Sequence, residues 1–171
     1  LTCIEPLSFS EPLPSTPNSP NSPNSTTMPS LKIVHLRSCP LVEKDKTTPV
    51  DDLNFTRDKE VMEKIVENSN CDILYRCATA TKNELTIEAQ DCNILHLAMH
   101  GAPDTLSFEH EYVPFDPNTV GVAHHITTSD IRRLDKSFQP QVVFVAACDC
   151  ETIGQAFVDR GVPHVIAIKN G

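Results

Sequence analysis

The stretch Gln141–Gly161, QVVFVAACDCETIGQAFVDRG, decides how this chain folds. It opens with Val142-Val143-Phe144-Val145-Ala146-Ala147, the apolar, β-branched composition of a buried parallel strand. It closes with a short amphipathic helix, expected over Thr152 to Arg160. Gly161 stands where a helix C′ glycine belongs, and Pro163 follows where no helix continues. Cys148, Asp149, Cys150 and Glu151 fill the turn between strand and helix. A cysteine at the carboxyl end of a parallel strand, ahead of a helix N-terminus, is placed for chemistry. The amide N–H groups there favour negative charge, whether on a thiolate or on an oxyanion.

Upstream, Asn93–Gly101, NILHLAMHG, is a second apolar strand and ends in His100-Gly101. If the two strands are sheet neighbours, their axes lie about 4.8 Å apart. Residues just beyond both carboxyl ends then face one another as base and nucleophile. Cys148 is accordingly the candidate nucleophile, because a thiol is partly ionised near neutral pH. His100 is the candidate general base. Gly101 lets backbone N–H groups approach a substrate carbonyl, so the backbone of Gly101 and Cys148 is the candidate oxyanion hole. The plainer alternatives are a small buried cysteine and a loop histidine.

Other candidates weigh less. His96, four residues before His100 on the same strand, suits a core or supporting position. Cys150 stays open between metal ligand, resolving thiol and bystander. A Cys-x-Cys with scattered histidines lacks the paired C-x₂-C spacing of a structural zinc site, so neither metal nor cofactor is expected. Asp149 and Glu151 favour the following helix N-terminus electrostatically. His110, His124, His125 and His164 read as surface or packing residues.

The whole chain bounds the rest. Its 171 residues suffice for one compact domain. The formal charge is −9 with no basic run, which argues against nucleic acid or an anionic membrane as partner. No apolar run approaches the roughly 18 residues of a membrane span. Leu1 reads as a fragment boundary, and no signal peptide is recognisable. Seven cysteines, an odd number with several in apparent strands, suit free thiols in a reducing compartment. The expectation is a soluble cytoplasmic domain.

Residues 1–30 are dense in Pro, Ser and Asn and are expected to be a disordered tail or linker. Order should begin with a strand over Leu31–Leu36, followed by a polar loop to about Leu53. Phe55, Val61, Met62, Ile65 and Val66 then make a helical stripe, expected as ordinary cover for a sheet. A second strand is expected over Cys71–Ala78, and Thr81 to Glu84 fits a capping box opening a helix to about Gln90. Ile94–Met99 is the third strand. Leu106–Glu109 and Val122–Ile126 read as short strands around a turn cluster. Thr127 to Asp130 opens a helix carrying Ile131 and Leu134. The fourth strand, Val142–Ala147, leads to a fifth, His164–Ile168. This alternation implies an α/β fold with an open, mostly parallel sheet covered by helices on both faces.

The segments HLAMHG, LSFE, SDIRRL and VVFVAACDCETIGQAFVDRGVPHVIAI, in this order, resemble a CHAT domain, a caspase-like cysteine peptidase module. The 48 residues from His100 to Cys148 are also close to the roughly 50-residue His-to-Cys spacing of caspases. The resemblance covers about Leu31 to Gly171 and is strongest at the two strand-end motifs. It implies a three-layer caspase-like fold with a six-stranded sheet, with His100 as catalytic histidine and Cys148 as nucleophile. Gly154 matches the family's downstream glycine. Residues 31–171 would then be a CHAT domain truncated at its C-terminal end, hydrolysing peptide bonds in a protein or peptide substrate through a thioester acyl-enzyme. Ala146 stands where metacaspases carry an acid for a basic P1 side chain. The resemblance further implies a parent protein with TPR, WD-repeat or NTPase modules. The alternative is an inactive caspase-like scaffold module. A flavodoxin-like ligand-binding domain ranks below both, because no Gly-rich phosphate loop follows the first strand.

Overall fold

The computed structural model describes residues 2–4, 30–114 and 116–169. The apolar runs become strands β1 (Thr2–Ile4), β2 (Leu31–Arg37), β3 (Ile73–Thr79), β4 (Ile94–Ala98), β5 (Gly101–Ala102), β6 (Thr105–Glu109), β7 (Ala123–Thr127), β8 (Val142–Ala146) and β9 (His164–Ala167). The helices are α1 (Thr56–Glu67), α2 (Lys82–Glu88), α3 (Thr128–Arg132) and α4 (Glu151–Asp159). The main sheet runs β1-β9-β8-β4-β2-β3, and its five strands from β9 to β3 are parallel. β1 pairs antiparallel on β9. It lies within the stretch expected as a tail, of which residues 5–29 fall outside the described residues. A small antiparallel sheet, β5-β6-β7, stands beside the main one. Its two outer-loop strands follow the sequence expectation, and the two-residue β5 is an addition.

Chain order fixes which face each helix covers. β2 leads to β3 on one side, then the chain crosses back to β4 and continues outward to β8 and β9. Right-handed crossovers therefore put α1 on one face and α2, α3 and α4 on the other. The burial agrees. Val34, Leu36, Leu95, Leu97, Val143 and Val145, from one face of the sheet, pack with Leu85, Ile131, Ile153 and Phe157 in a single core. Burying Ile153 and Phe157 contributes about 1.5–3 kcal/mol each. Gly154 is what lets α4 approach the sheet, since a Cβ there would stand 2.8 Å from the Ala167 Cβ.

The opposite face differs from expectation. α1 has no buried residue, with Val61 48% and Ile65 55% exposed. The stripe is helical as read from Val61 on, with Phe55 at the N-cap, but only Phe55, Met62 and Val66 are half-buried. Periodicity reports a face that can pack; it does not report how much sheet lies beneath it.

Local signals survive well. Thr127 accepts from the Asp130 N–H while the Asp130 carboxylate accepts from the Thr127 N–H, a complete capping box. Thr81 caps α2 by accepting from Glu84 N–H at 3.1 Å. Gly161 stands past the end of α4 with φ at 101°. No helix among the described residues is long and apolar enough to cross a membrane. Cys39, Cys71, Cys77, Cys92, Cys148 and Cys150 are all free.

Candidate functional site

β4 and β8 are adjacent and parallel, with Ala98 opposite Ala146. That pairing has an offset of 48, the same as the separation of His100 and Cys148. Both residues thus leave the sheet two positions past the last register pair, at one height on neighbouring strands. The Met99 N–H donates to the Ala146 carbonyl at 3.3 Å, which keeps the two chains together beyond the strand ends. His100 and Cys148 line one hollow of about 250 Å³ at the carboxyl edge of the sheet.

The turn after β8 presents Cys148 outward. Cys148 and Asp149 are exposed, while Ala147 before them and Cys150 after them are buried. Asp149 holds φ at 47°, left-handed backbone that a non-glycine residue seldom adopts but Asp tolerates better than most. The backbone reverses there in a single residue, and buried Cys150 then takes the N-cap position of α4 with no capping hydrogen bond from its side chain.

Cys150 is buried rather than a surface thiol. Its sulfur lies 3.4 Å from the carbonyl oxygens of Val145 and Ile168 and accepts from the Ile168 N–H at 3.2 Å. Burial raises its pKa, so it stays a neutral thiol that ties the end of β9 to the turn. Among the described residues no three His, Cys, Asp or Glu side chains are grouped to hold a metal ion.

Gly101 has a steric role. A Cβ at this position would meet the Cys148 carbonyl oxygen at 2.6 Å and the Ala147 Cβ at 2.9 Å. Its bare Cα lets the chain after β4 lie directly against the backbone of the Cys148 turn. The Ser107 N–H donates to the His100 carbonyl at 3.0 Å, so the small sheet clamps the same segment from the other side.

One partner of His100 was not readable from sequence. Its Nε2 lies 2.7 Å from the backbone carbonyl oxygen of Asp51, a group that can only accept. Nε2 therefore carries the proton, and Nδ1 keeps the lone pair that a base requires. The Asp51–Phe55 segment is itself anchored. The Leu53 N–H donates to the Cys39 sulfur at 3.3 Å, and that sulfur lies 3.6 Å from Asp51 O. Burial, with the Asp52 carboxylate beside it, pushes the Cys39 pKa up and keeps it a donor-competent thiol. The Arg37 guanidinium sits 5.9 Å from the centre of the Phe55 ring. No hydrogen bond joins His100 to Cys148 among the described residues. No family model matches this chain, and a search of the curated proteins gives no significant match.

Beneath the hollow, His96 is the next residue down β4 on the same face. It stacks on His35 with ring centres 4.3 Å apart and a 7° interplanar angle, and meets Phe144 edge-on at 4.8 Å. Burial lowers the His96 pKa to about 4, so the ring is neutral and packs as an aromatic. His35 is fully buried, and its Nδ1 lies 2.9 Å from the Tyr75 hydroxyl. His96 thus belongs to the packing under the site, as its place on the strand implies. His125 pairs with Glu43 at 3.0 Å and shares a hollow with His100 and Gly101, while His110 meets His124 edge-on.

Proposed function

We propose that residues 31–171 form a caspase-like cysteine endopeptidase domain resembling the CHAT family, with Cys148 as nucleophile and His100 as general base. One observation carries this reading: His100 and Cys148 leave adjacent parallel strands at the same register onto one hollow. The Asp51 carbonyl supports it by fixing the His100 tautomer. In the reaction, His100 Nδ1 takes the Cys148 thiol proton as sulfur attacks the scissile carbonyl carbon. Backbone N–H groups of Gly101 and Cys148 stabilise the resulting oxyanion. The C–N bond breaks as the imidazolium returns the proton to the leaving amine, and a thioester remains. Water, deprotonated by the same imidazole, then attacks the thioester and releases the acid and the free thiol. The Asp51 carbonyl holds the imidazole orientation throughout and stabilises the imidazolium. The substrate class is protein or peptide, and the setting is the cytoplasm.

A second reading, a non-catalytic interaction module of the same fold, is favoured by one specific observation: the absence of a Cys148–His100 hydrogen bond among the described residues. Apo catalytic hydrogen bonds are often long and tighten only around substrate, so this does not outweigh the register argument. The test is incubation with a diverse peptide library in reducing buffer, reading new termini by mass spectrometry. Cleavage abolished by both Cys148→Ala and His100→Ala is the expected result. Cleavage that survives either substitution, or none from the unmodified chain, overturns the endopeptidase reading in favour of the module.

A further inference from the structure

Three adjacent strands, β2, β4 and β8, end at one level. Arg37 pairs with Ala98 and Ala98 with Ala146, and Cys39, His100 and Cys148 each lie two positions past those partners. The Ser38 N–H donates to the Ala98 carbonyl at 3.1 Å, which holds the chain after β2 beside the chain that carries His100. Cys39 is therefore the third residue of the row, and in strand order it stands on the side of His100 opposite Cys148.

The loop between β2 and α1 shows what this thiol does. Residues 41–50 are tied to one another: the Glu43 N–H donates to the Thr48 carbonyl at 2.8 Å, and the Val50 N–H to the Leu41 carbonyl at 3.1 Å. The pairing stops at Val50. Among the described residues, 51–54 make no backbone–backbone hydrogen bond, although the Asp51 carbonyl is the group that meets His100 Nε2 at 2.7 Å. Apart from His100, the Cys39 sulfur is the one polar partner outside the segment that Asp51, Asp52 and Leu53 have among the described residues. It accepts from the Leu53 N–H at 3.3 Å. It also stands 3.6 Å from both the Asp51 carbonyl oxygen and Asp52 Oδ1. A thiol can donate its one proton to either oxygen while its lone pairs accept from Leu53.

We propose that Cys39 is a positioning residue for the dyad: its thiol holds residues 51–53 against the end of β2 and so keeps the Asp51 carbonyl on His100 Nε2, leaving the lone pair on Nδ1. The inference rests on the endopeptidase reading above and adds a residue that touches neither substrate nor reacting atoms. Without the sulfur, the carbonyl is held only by the imidazole it orients. The ring is then free to leave its productive placement, and a misplacement of about 1 Å costs up to about a hundredfold in rate. A serine hydroxyl offers the same donor and acceptor capacity as the thiol, whereas alanine offers neither.

A double-substitution cycle separates this role from a merely structural one. The rate of Cys148 alkylation by iodoacetamide at pH 7, read by peptide mass, is compared in the unmodified chain, Cys39→Ala, Cys39→Ser, His100→Ala and the Cys39→Ala, His100→Ala double variant. Circular dichroism checks the fold of each. Cys39→Ala is expected to slow Cys148 by about three- to tenfold, within the roughly tenfold that the imidazole itself contributes. Cys39→Ser should restore the rate, and Cys39→Ala should change nothing further once residue 100 is alanine. If His100→Ala slows Cys148 but Cys39→Ala does not, or slows it by the same factor in both backgrounds, the positioning role is overturned and the dyad stands. A Cys148 rate indifferent to His100→Ala removes the dyad, and the positioning role with it. Should Cys39→Ala not fold, Cys39→Ser decides: a rate near that of the unmodified chain supports the role, and a fall to the level of His100→Ala overturns it.

Discussion

Gly101→Ala is the perturbation that links packing to chemistry most tightly. The added Cβ would stand 2.6 Å from the Cys148 carbonyl oxygen, 2.9 Å from the Ala147 Cβ and 3.4 Å from the Cys148 nitrogen. Ordinary carbon–oxygen contacts are about 3.3–3.6 Å, so the two segments must part by roughly 1 Å. Two of the three obstructing atoms are backbone and the third is a Cβ, none of which a rotamer change can move aside. Overpacking of this kind costs about 1–3 kcal/mol. In a chain of this size that lowers Tm by about 2–12 °C. The same displacement moves Cys148 relative to His100, and a 1 Å misplacement costs up to about a hundredfold in rate. Thermal unfolding by circular dichroism and the rate of Cys148 alkylation read the two effects on one sample. Gly154→Ala is the matched control. Its Cβ would be 2.8 Å from the Ala167 Cβ, but the better helix propensity of Ala offsets up to about 1 kcal/mol, and Cys148 is not among its contacts. It should therefore lower Tm less than Gly101→Ala. If Gly101→Ala melts within about 1 °C of the unmodified chain and its Cys148 alkylates at an unchanged rate, the close approach on which the site rests is refuted.

Further outcomes follow from single contacts. Cys150→Ala leaves the Ile168 N–H without the sulfur it meets at 3.2 Å and should cost about 1–3 kcal/mol, measured by denaturant unfolding, while Cys148 alkylation still depends on His100. Thr127→Ala removes the two hydrogen bonds of the Thr127 hydroxyl, the one it donates to the Asp130 carboxylate and the one it accepts from the Asp130 N–H, and should cost about 1 kcal/mol, seen as a Tm lowered by roughly 2–4 °C. His96, whose pKa burial lowers from 6.5 to about 4, binds a proton more readily unfolded than folded. Its contribution to stability is therefore full above pH 6.5 and is lost as pH falls toward 4. His96→Phe should flatten the difference in Tm between pH 7 and pH 4.5, and an unchanged difference would count against the buried neutral stack.

The parts of this molecule that were legible in the sequence are those whose information is local. The runs ending at Ala98 and Ala146 are apolar because a central parallel strand is buried on one face and half-buried on the other, and that pattern needs no partner to be recognised. The Thr127–Asp130 and Thr81–Glu84 caps are four-residue signals. Strand ends shifted by one or two residues, as at β3, because the last ladder bond depends on the neighbour. What sequence could not show is carried by backbone or by distant pairing. The Asp51 carbonyl that orients His100 is a main-chain group 49 residues away, and any residue at position 51 has one. The His35–His96 stack follows from a register match between β2 and β4 that composition does not encode. The loose seating of α1 was hidden for a related reason. An amphipathic stripe declares which side of a helix is apolar, while what it meets is settled by the crossovers. Cys150 was ambiguous until the end of β9 was placed beside it.

The central claim is that His100 and Cys148 act as a pair, and the rate of Cys148 alkylation by iodoacetamide at pH 7 tests it most directly. The comparison is between the unmodified chain and His100→Ala, with exposed Cys71 in the same sample as internal reference. A thiol is a few per cent thiolate at this pH, so pairing with an imidazole base leaves room for a rate increase of roughly tenfold. The account predicts that His100→Ala slows Cys148 by about that factor and leaves Cys71 unchanged. Equal rates at Cys148 in the two chains would contradict it.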